Sequence, residues 1–119
     1  MEEFKTLTRE ELKSWMDEEK DFVLVDVLSE GSYNSKHLPG AKHASVKESD
    51  FQEKIQEMVP EKDKPVVVYC GSFSCQLSPF AAHKLSEMGY TEVYDFEGGL
   101  ADWQDGGYSL EGATAEEEN

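Results

Sequence analysis

Val66-Val67-Val68-Tyr69-Cys70-Gly71-Ser72-Phe73-Ser74-Cys75-Gln76-Leu77-Ser78-Pro79 decides the fold. Pro65 opens the stretch, and three valines with a tyrosine form a short β-branched, aromatic run. That is the pattern of a central strand in a parallel sheet. Cys70 falls where the strand ends, and the small residues Gly71, Ser72 and Ser74 leave backbone N–H groups free to point inward. Ser78-Pro79 has the form of a helix N-cap followed by proline at the first helical position. A thiol at the C-terminal end of a strand, beneath loop amides and facing a helix N-terminus, sits in positive potential that favours thiolate. A buried apolar cysteine finishing a strand satisfies the same residues, and this stretch alone does not separate the two.

Upstream, Phe22-Val23-Leu24-Val25-Asp26-Val27 is a second strong strand, apolar on both faces and therefore also central. Asp26 lies at its C-terminal end, where parallel strands present carboxylates to ligands or to facing loops. A hydrogen bond to backbone amides of a neighbouring loop suits it better than catalysis. Phe4 to Leu7 is a short apolar entry suited to an edge strand. Thr8-Arg9-Glu10-Glu11 matches a capping box, with Leu12, Trp15 and Met16 on the inner face of a helix ending near Glu19. Ser29 to Lys36 fits a helical turn, Pro39-Gly40 a chain reversal, and Lys42 to Val46 a short strand. Ser49 or Asp50 caps a helix with Phe51, Ile55 and Val59 facing inward.

Downstream, Phe80, Ala81, Leu85 and Met88 mark a helix face that Gly89 terminates. Glu92 to Phe96 is the last strand, and Gly98-Gly99 turns it into a short helix carrying Leu100 and Trp103, stopped by Gly106-Gly107. Strands alternate with helices, so the expected architecture is α/β: one mostly parallel sheet with helices on both faces.

At 119 residues the chain suits one domain, expected over residues 1–112, with an acidic, disordered tail at 113–119. No apolar run approaches the roughly 20 residues of a membrane span, and the N-terminus lacks a signal-peptide pattern, so the expected location is cytoplasmic. The formal charge of -15, from 26 acidic and 11 basic residues, makes nucleic acid and anionic membranes poor partners. Two cysteines are too few for a disulfide scaffold, and a reducing compartment is expected to keep both as thiols. Their spacing is not that of a zinc finger, so no metal is expected.

Val25-Asp26-Val27, His37-Leu38-Pro39-Gly40-Ala41, Val66 to Cys70, Ala81-Ala82 with Leu85 and Gly89-Tyr90, and Gly98-Gly99 with Trp103 and Gly107-Tyr108 follow one another in fixed order. In that order they resemble the signature of rhodanese-like domains, from about Phe4 to Glu111. The resemblance implies a five-stranded, mostly parallel α/β sheet. It also implies a sulfurtransferase whose nucleophile, Cys70, carries sulfane sulfur as a persulfide and passes it to a thiol or cyanide-type acceptor. The loop residues Gly71, Ser72, Phe73, Ser74 and Gln76 would form the substrate cradle, with Asp26 and His37 in support.

No cofactor is implied. The implied partners are a small sulfur donor (thiosulfate, polysulfide or a persulfide) and a thiol acceptor, which a partner protein could carry. Cys75, five residues after Cys70, is a candidate resolving or relay thiol that would reach Cys70 if the loop folds inward, giving a disulfide or a persulfide relay, or else a small apolar residue under the loop. A thiol–disulfide redox protein using Cys70 and Cys75 is one alternative function, and a non-catalytic sulfur-carrier or interaction module is another.

Two departures from the family pattern matter. Leu28 stands where arginine is common, and the stretch from Cys70 to the helix looks two residues longer than usual and holds no basic residue. Thiosulfate is therefore expected to be a poor donor. Phosphatase and arsenate-reductase relatives of this fold place arginine where Gln76 stands. A neutral amide cannot give the charged bidentate grip that oxyanion chemistry needs, which argues against phosphoryl transfer.

Overall fold

The structure, a computed structural model, describes residues 4–113. Five strands, β1 (Lys5–Leu7), β2 (Val23–Asp26), β3 (Lys42–His43), β4 (Val66–Tyr69) and β5 (Val93–Phe96), form one sheet in the order β1-β5-β4-β2-β3. Every pairing is parallel, so the sheet is wholly rather than mostly parallel. Five helices alternate with them: α1 (Arg9–Asp17), α2 (Glu30–Ser35), α3 (Phe51–Met58), α4 (Leu77–Glu87) and α5 (Gly99–Asp105). Residues 114–119 of the expected tail lie outside the described residues; Ala113 donates its N–H to the Asn34 carbonyl at 2.9 Å.

The valine run is central for the reason its composition suggests. All four residues of β4 are buried, and their side chains alternate between two cores. Val66 and Val68 face Phe51, Ile55, Ala81, Ala82 and Leu85 of α3 and α4. Val67 and Tyr69 face Leu12 and Trp103 of α1 and α5 on the opposite side. Burying each valine stabilises the fold by about 1.5–3 kcal/mol, which strand register protects because a one-residue slip would exchange the two cores.

The expected edge strand at the N-terminus is β1, paired to β5, and the capping box of Thr8 and Glu11 is present on α1. The strand expected at Lys42 to Val46 pairs over two residues only, because Ala44 and Val46 donate to Asp26 and Val27 outside the regular ladder. The helix after Cys70 starts earlier than Ser78. Gln76 is the N-cap of α4, Ser78 lies inside the first turn and Pro79 follows it there, where a missing N–H costs no helical bond. The intervening loop is therefore Gly71 to Cys75, and the two extra residues inferred from the sequence belong to the helix. Among the described residues, no helix is long and apolar enough to cross a membrane.

Candidate active site

Cys70 follows β4 directly and is 1% exposed. Its carbonyl accepts from Leu100 N–H at 3.1 Å, and that of Gly71 accepts from Ala101 N–H at 2.9 Å, so the start of α5 buttresses the beginning of the loop. Gly99 makes this approach possible: its φ is 62°, and a Cβ there would run into the Cys70 carbonyl. The loop then turns, with Cys75 N–H donating to the Ser72 carbonyl at 3.0 Å and the Ser72 and Ser74 hydroxyls 3.0 Å apart. Among the described residues, no backbone hydrogen bond uses the N–H of Gly71, Ser72, Phe73 or Ser74. These amides remain for solvent or for an anionic ligand. Phe73 at the tip is 71% exposed, and Gln76 is exposed at the start of α4.

The turn returns the chain toward β4 and places the Cα atoms of Cys70 and Cys75 6.4 Å apart, and the two sulfurs are joined as a disulfide. Neither cysteine is free. The sequence left open whether the loop folds inward far enough for Cys75 to reach Cys70; here the Ser72–Cys75 turn brings the two backbones within the separation a disulfide spans. Cys75 is half-buried and packs against the same core as Cys70 and Leu28.

Two buried polar groups that sequence reasoning missed lie behind the disulfide. Ser78 on α4 is fully buried, with its hydroxyl oxygen 3.5 Å from Cys70 Sγ. Asp95, at the middle of β5 and 1% exposed, accepts a hydrogen bond from Ser78. Its Oδ1 has no hydrogen-bond partner. Burial pushes the Asp95 carboxyl up to about 6, the Ser78 hydrogen bond offsets part of that rise, and the charge of Glu97 adds to it. A charged residue inside a buried strand was the signal for Asp95; Ser78 was read as a cap.

Asp26 is fully buried at the C-terminal end of β2, where its Oδ1 accepts from Leu28 N–H at 2.9 Å. Its Oδ2 has no partner, and burial holds its carboxyl above the usual range. It sits in register with Tyr69 of β4 and His43 of β3. The Tyr69 hydroxyl accepts from Leu38 N–H at 3.0 Å, which ties the His37–Ala41 turn to the central strand. His37 stacks on Tyr33 at 4.1 Å, and its Nδ1 lies 2.8 Å from the Tyr33 carbonyl. Its backbone pairs with Glu111. His43 reaches the Leu28 carbonyl at 2.7 Å, and His83 on α4 lies 3.4 Å from Glu87. The observed partners of His37 and His43 thus shape the loops beside Asp26.

The chain's single arginine, Arg9, lines a cleft of about 290 Å³ together with Phe73 and Glu97. Its guanidinium is held by Asp102 at 3.0 Å, Glu10 at 3.2 Å and Asp105 at 3.3 Å. That positive charge is already met by three carboxylates before any ligand arrives.

The model of the rhodanese-like domain matches residues 8–106 of the chain. The chain is 35% identical over 95 residues to the thiosulfate sulfurtransferase GlpE of Coxiella burnetii, covering 78% of this chain and 82% of that protein. It is 30% identical over 107 residues to the protein of the same name from Shewanella oneidensis, covering 88% and 97%. Among solved structures, the Alr3790 protein of Anabaena superposes with a TM-score of 0.80 at 27% identity, covering 89% of this chain and 91% of that one. With its parallel sheet, the strand-end cysteine and the loop that follows it, the chain belongs to the rhodanese-like domain family.

Proposed function

We propose that this chain is a sulfurtransferase that carries sulfane sulfur as a persulfide on Cys70 and passes it to a thiol or cyanide-type acceptor. The observation that carries this reading is the position of Cys70: at the end of the central strand, under a loop with unused amides and against the first turn of α4. In the reduced protein the Cys70 thiolate attacks the outer sulfur of a donor, the donor's S–S bond breaks, and the remainder of the donor leaves with the electron pair. Loop amides and the helix N-terminus then stabilise the charged outer sulfur. That relatives at 30–35% identity are named thiosulfate sulfurtransferases supports the reaction class. The donor of this chain is proposed to be less charged than thiosulfate.

Intact mass after brief exposure of the reduced protein to cysteine persulfide tests the reading. One added sulfur on Cys75→Ser, absent from Cys70→Ser, is expected. Sulfur uptake that survives Cys70→Ser would place the nucleophile elsewhere. The observed disulfide favours a second reading, a thiol–disulfide redox protein, for which no sulfur is taken up and dithiols are oxidised.

A further inference from the structure

We infer that Cys75 resolves the Cys70 persulfide within the chain, releasing hydrosulfide and forming the Cys70–Cys75 disulfide. The site thereby reduces sulfane sulfur to sulfide at the expense of a dithiol. The inference rests on the proposed persulfide chemistry and goes beyond it, because the product becomes hydrosulfide rather than a sulfurated acceptor.

Four features carry it. The turn after Ser72 brings the two cysteines to bonding contact, with their Cα atoms 6.4 Å apart. Cys75 is close by covalent design, five residues along the same loop, so its encounter with Cys70 needs no second molecule. Cys70 is 1% exposed whereas Cys75 is half-buried, so an external thiol meets Cys75 first. The loop also lacks any cation that would hold an anionic acceptor such as cyanide beside Cys70.

The steps balance. Cys75 thiolate attacks Sγ of the Cys70 persulfide. The bond from Cys70 Sγ to the outer sulfur breaks, hydrosulfide leaves with the electron pair, and the Cys70–Cys75 bond forms. The two cysteine sulfurs are oxidised by two electrons, and the sulfane sulfur is reduced to sulfide. A dithiol reductant, small or on a protein, then attacks Cys75 Sγ. Cys70 thiolate leaves, takes up a proton, and the second thiol of the reductant closes its own disulfide to free Cys75.

The test is a single turnover under anaerobic conditions. Reduced wild type, Cys75→Ser and Cys75→Ala are loaded with cysteine persulfide, desalted, and followed by intact mass and by hydrosulfide trapping. Wild type is expected to lose the added sulfur together with two hydrogens, releasing one hydrosulfide per loaded chain. Its persulfide lifetime should be at least about tenfold shorter than that of either variant, the ordinary advantage of an intramolecular nucleophile. Both variants should keep their sulfur until an external thiol is added. A wild-type persulfide that lives as long as those of the variants overturns the inference and leaves the persulfide reading standing. So does transfer of the intact sulfur to Cys75, seen as unchanged mass with the sulfur mapped to that residue. If neither wild type nor variants take up sulfur, the persulfide reading falls and this inference falls with it.

Discussion

The hydroxyl oxygen of Ser78 stands 3.5 Å from the sulfur of Cys70, and both side chains are buried. Ser78 in turn donates to the Asp95 carboxylate, so one hydroxyl links the sulfur of Cys70, the proposed nucleophile once reduced, to a carboxyl that burial pushes up to about 6. A single hydroxyl proton cannot serve both anions. Ionised Asp95 draws it away from Cys70, and its charge opposes a neighbouring thiolate. Replacing Asp95 by Asn removes the charge while keeping an acceptor for Ser78. Reduced Asp95→Asn is expected to be alkylated by iodoacetamide at pH 7 about tenfold faster than wild type, on the scale of one nearby charge at intermediate dielectric. Adding Ser78→Ala to Asp95→Asn should slow alkylation again by leaving the thiolate without its hydroxyl donor. Equal rates in all three proteins would show that the linkage has no chemical consequence.

The same carboxyl sets a stability term whose sign is fixed. The folded value for Asp95, about 6, lies above its ordinary value of 3.8, so the unfolded chain gives up its proton first as pH rises. Between about pH 4 and 6 the native state binds more protons, and stability falls across that window. Above it, keeping the carboxylate buried costs roughly 2–3 kcal/mol. Asp95→Asn should therefore match wild type near pH 4 and exceed it by about 1–3 kcal/mol at pH 7, measured by urea unfolding across that range. A gap between the two proteins that does not change with pH would sink this account.

Gly99 offers a mechanical test of how the loop is held. Its φ of 62° and the approach of its backbone to the Cys70 carbonyl leave no room for a side chain. Gly99→Ala should cost at least about 2 kcal/mol, combining left-handed strain with displacement of α5. Gly31, where a Cβ would meet nothing within 4 Å, is the control and should tolerate alanine nearly neutrally. Denaturant midpoints of the two variants decide between a local requirement at Gly99 and a general intolerance of glycine replacement.

Much of this arrangement was legible in the residues. Val66 to Tyr69 could only be a strand covered on both faces, and Asp26 and Cys70 then had to lie at the same edge of the sheet. Parallel alternation of strands and helices followed from Gly and Pro punctuation. What could not be seen depended on geometry that local patterns do not encode. Ser78-Pro79 has the form of a cap in isolation, but the chain begins its helix at Leu77 and turns Ser78 inward toward Cys70. Asp95 interrupts an apolar strand, and its partner is set by the crossing of α4 over β5, a long-range fact. The joining of Cys75 to Cys70 depends on how the loop folds back, which the four intervening residues Gly71, Ser72, Phe73 and Ser74 leave open.

Thiosulfate is a dianion, and delivering its outer sulfur brings it against a thiolate. Residues Gly71 to Ser78 carry no positive charge, Leu28 stands where an arginine is common in the family, and the chain as a whole carries -15. Arg9, beside Phe73, is already bound by Asp102, Asp105 and Glu10. Amide dipoles must therefore offset the repulsion alone. Two unit charges about 4 Å apart repel by roughly 4 kcal/mol at an effective dielectric of 20, about a thousandfold in rate if nothing compensates. The expected kinetics are a low kcat/KM for thiosulfate that rises with ionic strength, and faster loading from less charged donors. Gln76→Arg, at an exposed position beginning α4, should raise thiosulfate use by placing a cation beside the sulfonate and should weaken the salt dependence. Steady-state rates of both proteins at low and high salt provide the check. A wild-type kcat/KM for thiosulfate that is high and indifferent to salt would mean that the backbone amides alone hold the dianion, and the missing arginines would then carry no cost.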